Sequence, residues 1–116
     1  MIIDVAKDFS RYPAGRVPED GDNNGTRFRE HILVPALKDA QRNHTTVVVD
    51  IDGVRSFGSS FLEEAFAGLI RLGKFNRNDV KKLLEVRCTK PHLFIFRDAI
   101  TSYINAAKTD EQLLAH

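Results

Sequence analysis

The spacing of apolar residues changes several times along the chain, and each change marks a predicted element. Residues 2 to 9, IIDVAKDF, alternate loosely, with Ile3, Val5 and Phe9 separated by charge, which predicts a half-buried strand. Residues 10 to 25, SRYPAGRVPEDGDNNG, hold two prolines, three glycines and a cluster of Asp and Asn, a composition that favours turns. A loop of that length in a small domain is itself a candidate functional segment. From Thr26 to about Ala40 the apolar positions Phe28, Ile32, Leu33, Ala36 and Leu37 recur at helical spacing, with Thr26 as the expected N-cap. Pro35 falls inside this run and is expected to kink the helix or divide it near Val34. Thr45 to Asp52, TTVVVDID, has the continuous β-branched run of a central strand covered on both faces.

A second helix is specified at both ends. Ser60-x-x-Glu63 has the spacing of a capping box, and Gly73 stands where a left-handed residue ends a helix. Leu62, Ala65, Phe66, Leu69 and Ile70 make its core face, which leaves Glu63, Glu64, Arg71 and Lys74 mostly on the outer side. Residues 75 to 82 are polar and basic, and Leu83 to Cys88 predict a third strand. Thr89 and Pro91 announce a last helix with Leu93, Phe96, Ile100, Tyr103, Ile104 and Ala107 in period. Leu93 to Phe96 is ambiguous, since a short apolar run fits a buried strand equally well. Residues 109 to 116 read as a frayed tail. The order predicts one α/β domain over residues 1 to 116, a small mixed or parallel β-sheet with helices packed on it.

Composition narrows the function. A chain of 116 residues with 42% hydrophobic and 28% charged positions supports one core. Its 17 basic and 16 acidic side chains nearly cancel, so no overall field draws it to nucleic acid or to an anionic membrane. No stretch approaches the ~20 apolar residues of a membrane span, and Asp4 and Asp8 occupy the start, which predicts a cytoplasmic protein. The single cysteine, Cys88, excludes an internal disulfide framework and reads as a small buried filler. His31, His44, His92 and His116 lack ligand spacing, so neither a metal nor a cofactor is expected. Asp50 and Asp52 end the central strand, where α/β proteins place functional carboxylates, but turn-forming roles are preferred for them. No converging acid, base and nucleophile is present and no Gly-rich phosphate loop, so no enzymatic activity is expected. Arg71 to Lys90 carries seven basic residues against two acidic ones. With Phe75 its one aromatic, it reads as a solvated face or an acidic-protein docking surface before a nucleic-acid site.

The most specific tract runs from Val47 to Phe66, VVVDIDGVRSFGSSFLEEAF: a buried strand, a fixed spacing and a Ser-Ser pair opening a helix. It resembles the core motif of the STAS fold, the domain of anti-sigma factor antagonists, in which a Val-rich strand leads to Asp-Ser-Ser-Gly-Leu at a helix start. Asp50 falls on the strand-end position and Gly58-Ser59-Ser60-Phe61-Leu62 on that pentapeptide, with Gly58 and Phe61 replacing the family's Asp and Gly. With Pro13, Gly15 and Arg16, the run Arg27 to Glu30, and Ser60 to Phe66, the likeness extends to a divergent group of small bacterial STAS-like proteins. The resemblance implies a STAS-like sandwich and a regulatory protein-interaction module. Its implied partner is an anti-sigma factor or a histidine-kinase-type ATPase, and its implied phosphorylation site is Ser59. The docking surface would comprise Asp52, Arg55, Ser56, Phe57, Gly58, Ser59, Ser60, Glu63 and Glu64.

Two arginines point to an alternative. Arg27 and Arg29 oppose the dipole of the helix they open. Either Glu19, Asp20 and Asp22 fold back onto them, or Arg16, Arg27 and Arg29 gather around an anion. The second case predicts a phosphate- or nucleotide-binding subunit that also uses the N-terminus of the second helix.

Overall fold

The structure, a computed structural model, describes residues 1–109. Its three strands, β1 (Ile2–Asp4), β2 (Val47–Asp50) and β3 (Leu84–Arg87), lie in the order β1-β2-β3 and are parallel throughout. The expected strand over residues 2 to 9 is thus cut short, because Asp4 caps a single helical turn, α1 (Val5–Asp8), by accepting from the Lys7 amide. Asp8 returns the contact, its carboxylate accepting from the Asp4 amide at 2.8 Å.

Each crossover between neighbouring strands carries a long helix. The first, α2, joins Gly25–Phe28, a π-helical turn Arg29–Leu33, and Val34–Asn43 into one run. Helical backbone continues through Pro35, and the run changes from π to α at Val34, where the kink or division is expected. The missing Pro35 N–H and the ring's clash with the preceding turn are absorbed by the π turn just upstream, where the Val34 amide reaches back to the Arg29 carbonyl. The N-cap is Asn24, not Thr26: Asn24 Oδ1 accepts from the Arg27 amide at 2.9 Å, and Thr26 Oγ1 instead donates to the Arg16 carbonyl. The second, α3, joins Ser59–Leu62, a π turn Glu63–Ala67, and Gly68–Arg71, and Gly73 follows it at φ +71° as expected. A short helix that periodicity did not reveal, α4 (Arg77–Leu83), is capped by Asn76 and leads into β3. The ambiguity at residues 93 to 96 resolves as helix: a 3-10 turn Pro91–Leu93 opens α5 (Phe94–Ala106). Of the expected frayed tail, residues 110–116 lie outside the described residues.

With strands wound in sequence and crossovers of one hand, the helices collect on one face of the sheet. The register bears this out. Ile3, Val49 and Val86 align on the inner face, where Ile3 and Val49 are buried, while Ile2, Val48 and Glu85 align on the other, where Ile2 and Glu85 are exposed. The expectation that β2 is covered on both faces therefore fails on one side, because no crossover returns in the opposite direction. For the same reason the winding does not reverse among the described residues, and such a reversal is where open α/β sheets form their ligand crevice.

The core between sheet and helices includes a chain of aromatic rings. Phe9 and Phe66 pack on Phe28, Phe28 on Phe61, Phe61 on Phe57, and Phe57 on Phe96, with centroids 5.1 to 6.2 Å apart. These rings tie the first loop, α2, α3 and α5 into one body, and they fix where the start of α3 sits.

Candidate functional site

The Ser59 region is built by two segments running side by side. Between β2 and α3 the chain turns at residues 51 to 58, with Val54 and Phe57 buried beneath and Arg55 and Ser56 exposed. The early part of the long loop lies against this turn: the Arg55 amide donates to the Arg11 carbonyl and the Gly58 amide to the Pro13 carbonyl, both at 2.9 Å. A Cβ at Gly58 would stand in tight contact with Ala14, so the smallest residue suits the approach. The loop closes on itself before entering α2, through Ala14 amide to Asn23 carbonyl, Gly25 amide to Gly15 carbonyl and Thr26 amide to Arg16 carbonyl.

Ser59 is the first residue of α3 and is exposed. The expected capping box is not formed. Gly58 is the N-cap, no side chain caps the helix, and neither Ser59 nor Ser60 hydroxyl has a hydrogen-bond partner among the described residues. Glu63 cannot complete a box because its carboxylate is occupied, held by Arg16 from the loop and by Arg71 at 2.6 Å.

Several residues expected on the docking surface are engaged within the fold. Phe57 is buried in the ring chain, where it anchors the turn to α5. Asp52 clamps the chain after β3: it accepts from the Thr89 amide and hydroxyl, each at 2.7 Å, and from the Lys90 amide at 3.3 Å. Burial pushes its carboxyl up, but these bonds outweigh that and leave it below the usual carboxylate range. Asp50 accepts from the Asp52 amide, so the pair serves the turn. Glu63 and Glu64 belong to an ion-pair cluster between α2 and α3. Exposed on the two segments beside Ser59 are Arg11, Tyr12, Ala14, Arg55 and Ser56, with Ser60 half-buried.

The three arginines of the anion-binding reading do not converge. Arg29, its side chain only 4% exposed, donates to the Glu64 carboxylate and to the Glu64 carbonyl in the π turn of α3. A Cβ at residue 68 would overlap its guanidinium, so Gly68 provides the space. Arg16 bridges Glu63 and Glu64, while Arg27 donates to the Asp22 carbonyl and lies over the Phe9 ring. Of the three only Arg27 lines the cavity of about 530 Å³ beside the loop, and it shares that lining with Asp22 and Glu30. The compensation for Arg29 thus comes from α3 and not from the loop carboxylates: Asp20 accepts from the Arg16 and Val17 amides, shaping the loop.

The cluster of Arg16, Arg29, Arg71, Glu63 and Glu64 escaped sequence reasoning, which placed Glu63, Glu64 and Arg71 outside. The available signal was Arg29 itself, which stands one helical turn before Leu33 on the core side of α2. Burial pushes the Glu63 carboxyl up, and the bond from Arg16 and the charge of Arg71 more than offset it, so its pKa falls below the ordinary value. The basic stretch is likewise divided. Arg71 serves the cluster, Lys74 pairs with Glu30, and Arg77 donates to the Ile104 and Ala107 carbonyls at the end of α5. Cys88 is half-buried, which raises its thiol pKa. Among the described residues no three His, Cys, Asp or Glu gather as a metal site, and no helix is long and apolar enough to cross a membrane.

A one-sided three-stranded parallel sheet, with a Ser-Ser pair opening the helix after its middle strand, defines a small α/β sandwich of the STAS type. Residues 24–92 match the profile of a family described as a STAS-like domain of unknown function (DUF4325), and the chain belongs to that family. The match runs from the Asn24 cap into the turn before α5, so it includes Ser59 and excludes Arg11 and Tyr12. Neither curated proteins nor solved structures gave a match.

Proposed function

We propose that the protein is a non-enzymatic regulatory module of the cytoplasm that docks a protein partner through the surface around Ser59 and is released by phosphorylation of that residue. The reading rests on one observation: the Ser59 hydroxyl is exposed and unengaged at the start of α3, while the residues around it are fixed by backbone bonds and by the buried Phe57. A kinase would transfer the γ-phosphoryl group of ATP to Ser59 Oγ, with ADP and the hydroxyl proton leaving. The product is tolerable within the fold, because a phosphate there meets the free amides and positive end of the helix. In the interface it adds about −1.5 to −2 charge, which opposes docking by repulsion and desolvation. The partner class, an anti-sigma factor or a histidine-kinase-type ATPase, follows from the resemblance of residues 47 to 66 to the STAS motif.

The contact set of this reading is Arg11, Tyr12, Arg55, Ser56, Ser59 and Ser60, the exposed or half-buried residues there whose side chains no hydrogen bond or ion pair holds within the described fold. The test compares Ser59→Ala and Ser59→Asp proteins, expressed at equal level in the protein's own cells, for retained partner. Retention by Ser59→Ala and loss by Ser59→Asp is the expected result. Equal retention by both would overturn the switch.

A further inference from the structure

Where the charged side chains lie points to the chemistry of the partner. The chain has ten arginines, and eight of them are engaged. Arg16, Arg29 and Arg71 hold Glu63 and Glu64, Arg42 holds Asp39, Arg87 lies by Asp50 and Arg97 by Asp98, while Arg27 and Arg77 donate to backbone carbonyls. The two without a side-chain partner among the described residues are Arg11 and Arg55. Both are exposed, and they are neighbours, joined by the hydrogen bond from the Arg55 amide to the Arg11 carbonyl. Next to them Tyr12 is 62% exposed, and its amide is fixed by the Ser10 hydroxyl at 2.9 Å.

Two exposed guanidinia side by side, next to an exposed tyrosine, make a positive and partly aromatic surface whose complement is a segment of carboxylates and apolar side chains. We propose that this surface recognises an acidic protein segment, its carboxylates taken by Arg11 and Arg55 and its apolar side chains laid on Tyr12. This rests on the docking reading above and deepens it, because it says how phosphate acts: phosphoserine 59 offers its own oxygens to Arg11 and Arg55 and takes them from the partner. An internal dianion that satisfies both arginines removes the charge complementarity on which the partner's encounter depends. Nucleic acid is the less fitting occupant, since two cations beside one tyrosine make neither a groove along a phosphate backbone nor a stacking platform.

The test uses the full chain, ¹⁵N-labelled, titrated with a short synthetic peptide of alternating Glu and Leu, its Gln-for-Glu counterpart, and a single-stranded oligonucleotide of equal charge. The expected result is that the Glu peptide shifts the Arg11 and Arg55 Nε–H signals and the Tyr12 and Ser56 amides, with little response to the Gln peptide or the oligonucleotide. Arg11→Gln with Arg55→Gln weakens binding at least about fivefold. Lys81→Gln with Lys82→Gln, the same change in net charge at two other exposed positions, leaves it unchanged. Protein carrying phosphoserine at 59 weakens it as much as the double arginine variant. Equal weakening by the lysine variant, tight binding of the Gln peptide, or oligonucleotide binding at the same signals would overturn the acidic-partner assignment. Full peptide binding by the phosphoserine form would overturn the competition. In either case Ser59-dependent release of the cellular partner is judged separately, by the Ser59→Asp comparison.

Discussion

The two ends of one short stretch of α3 treat charge in opposite ways. At Glu63 and Glu64 every carboxylate is matched by an arginine, one of them 4% exposed, and the cluster locks α2 against α3 at Gly68. One turn earlier, at Ser59, the hydroxyl is bare, and the nearby Arg11 and Arg55 have no partner within the described fold. Polar groups satisfied internally serve the fold, and removing one strands its partner. Polar groups left open on a rigid base are free to meet another molecule. That contrast separates residues whose loss should unfold the protein from residues whose loss should silence it.

The largest losses are expected at the cluster. Arg29→Met should cost about 3 kcal/mol by leaving Glu64 short of its buried cation, read as a lowered midpoint in urea denaturation. Phe57→Ala should cost about the same, because it opens a cavity between α3 and α5. Phe57 thus loses partner binding only together with the fold, which thermal melting followed by circular dichroism distinguishes. Gly68→Ala should cost about 2 kcal/mol through overlap with Arg29, and pairing it with Arg29→Met should recover part of that loss in a double-mutant cycle.

A smaller effect is expected with pH. Asp52 and Glu63 have folded-state pKa values below their unfolded ones, so they contribute stability above the unfolded pKa that is lost as pH falls through the folded value. The melting temperature should therefore decline below about pH 4, and less steeply in Asp52→Asn. The smallest effects belong to the serines. Ser60→Ala should stay within about 0.5 kcal/mol of the parent, against the ~1 kcal/mol a true capping serine would cost. Ser59→Asp should be neutral or slightly stabilising at the helix N-terminus, so any binding it abolishes is lost at the surface.

Where periodicity and local chemistry coincide, the fold was legible: the Val47 to Asp50 strand, the core face of α3 and the left-handed Gly73 all follow from short-range pattern. The failures come from partners far along the chain. Ser60 and Glu63 have a capping-box spacing, yet Glu63 is claimed by Arg16, 47 residues away. Arg29 reads as a misplaced surface cation until Glu64, 35 residues on, is brought against it. Asn24 and Thr26 are both good caps, and only the loop closing onto Arg16 decides between them. The STAS-like motif points to Ser59, but Arg11 and Tyr12 come beside that turn only because two backbone bonds lay the loop along residues 55 to 58.

Whether Ser59 is the switch of a docking surface is decided by phosphate occupancy in partner-bound and free protein recovered from the same cells. Cleavage after Arg55 and Arg71 isolates residues 56 to 71, which carry Ser56, Ser59 and Ser60 on one peptide. Phosphate is expected on Ser59 in the free fraction and is expected to be absent from the bound one. Equal occupancy in both fractions, or none under any growth condition, would contradict the switch.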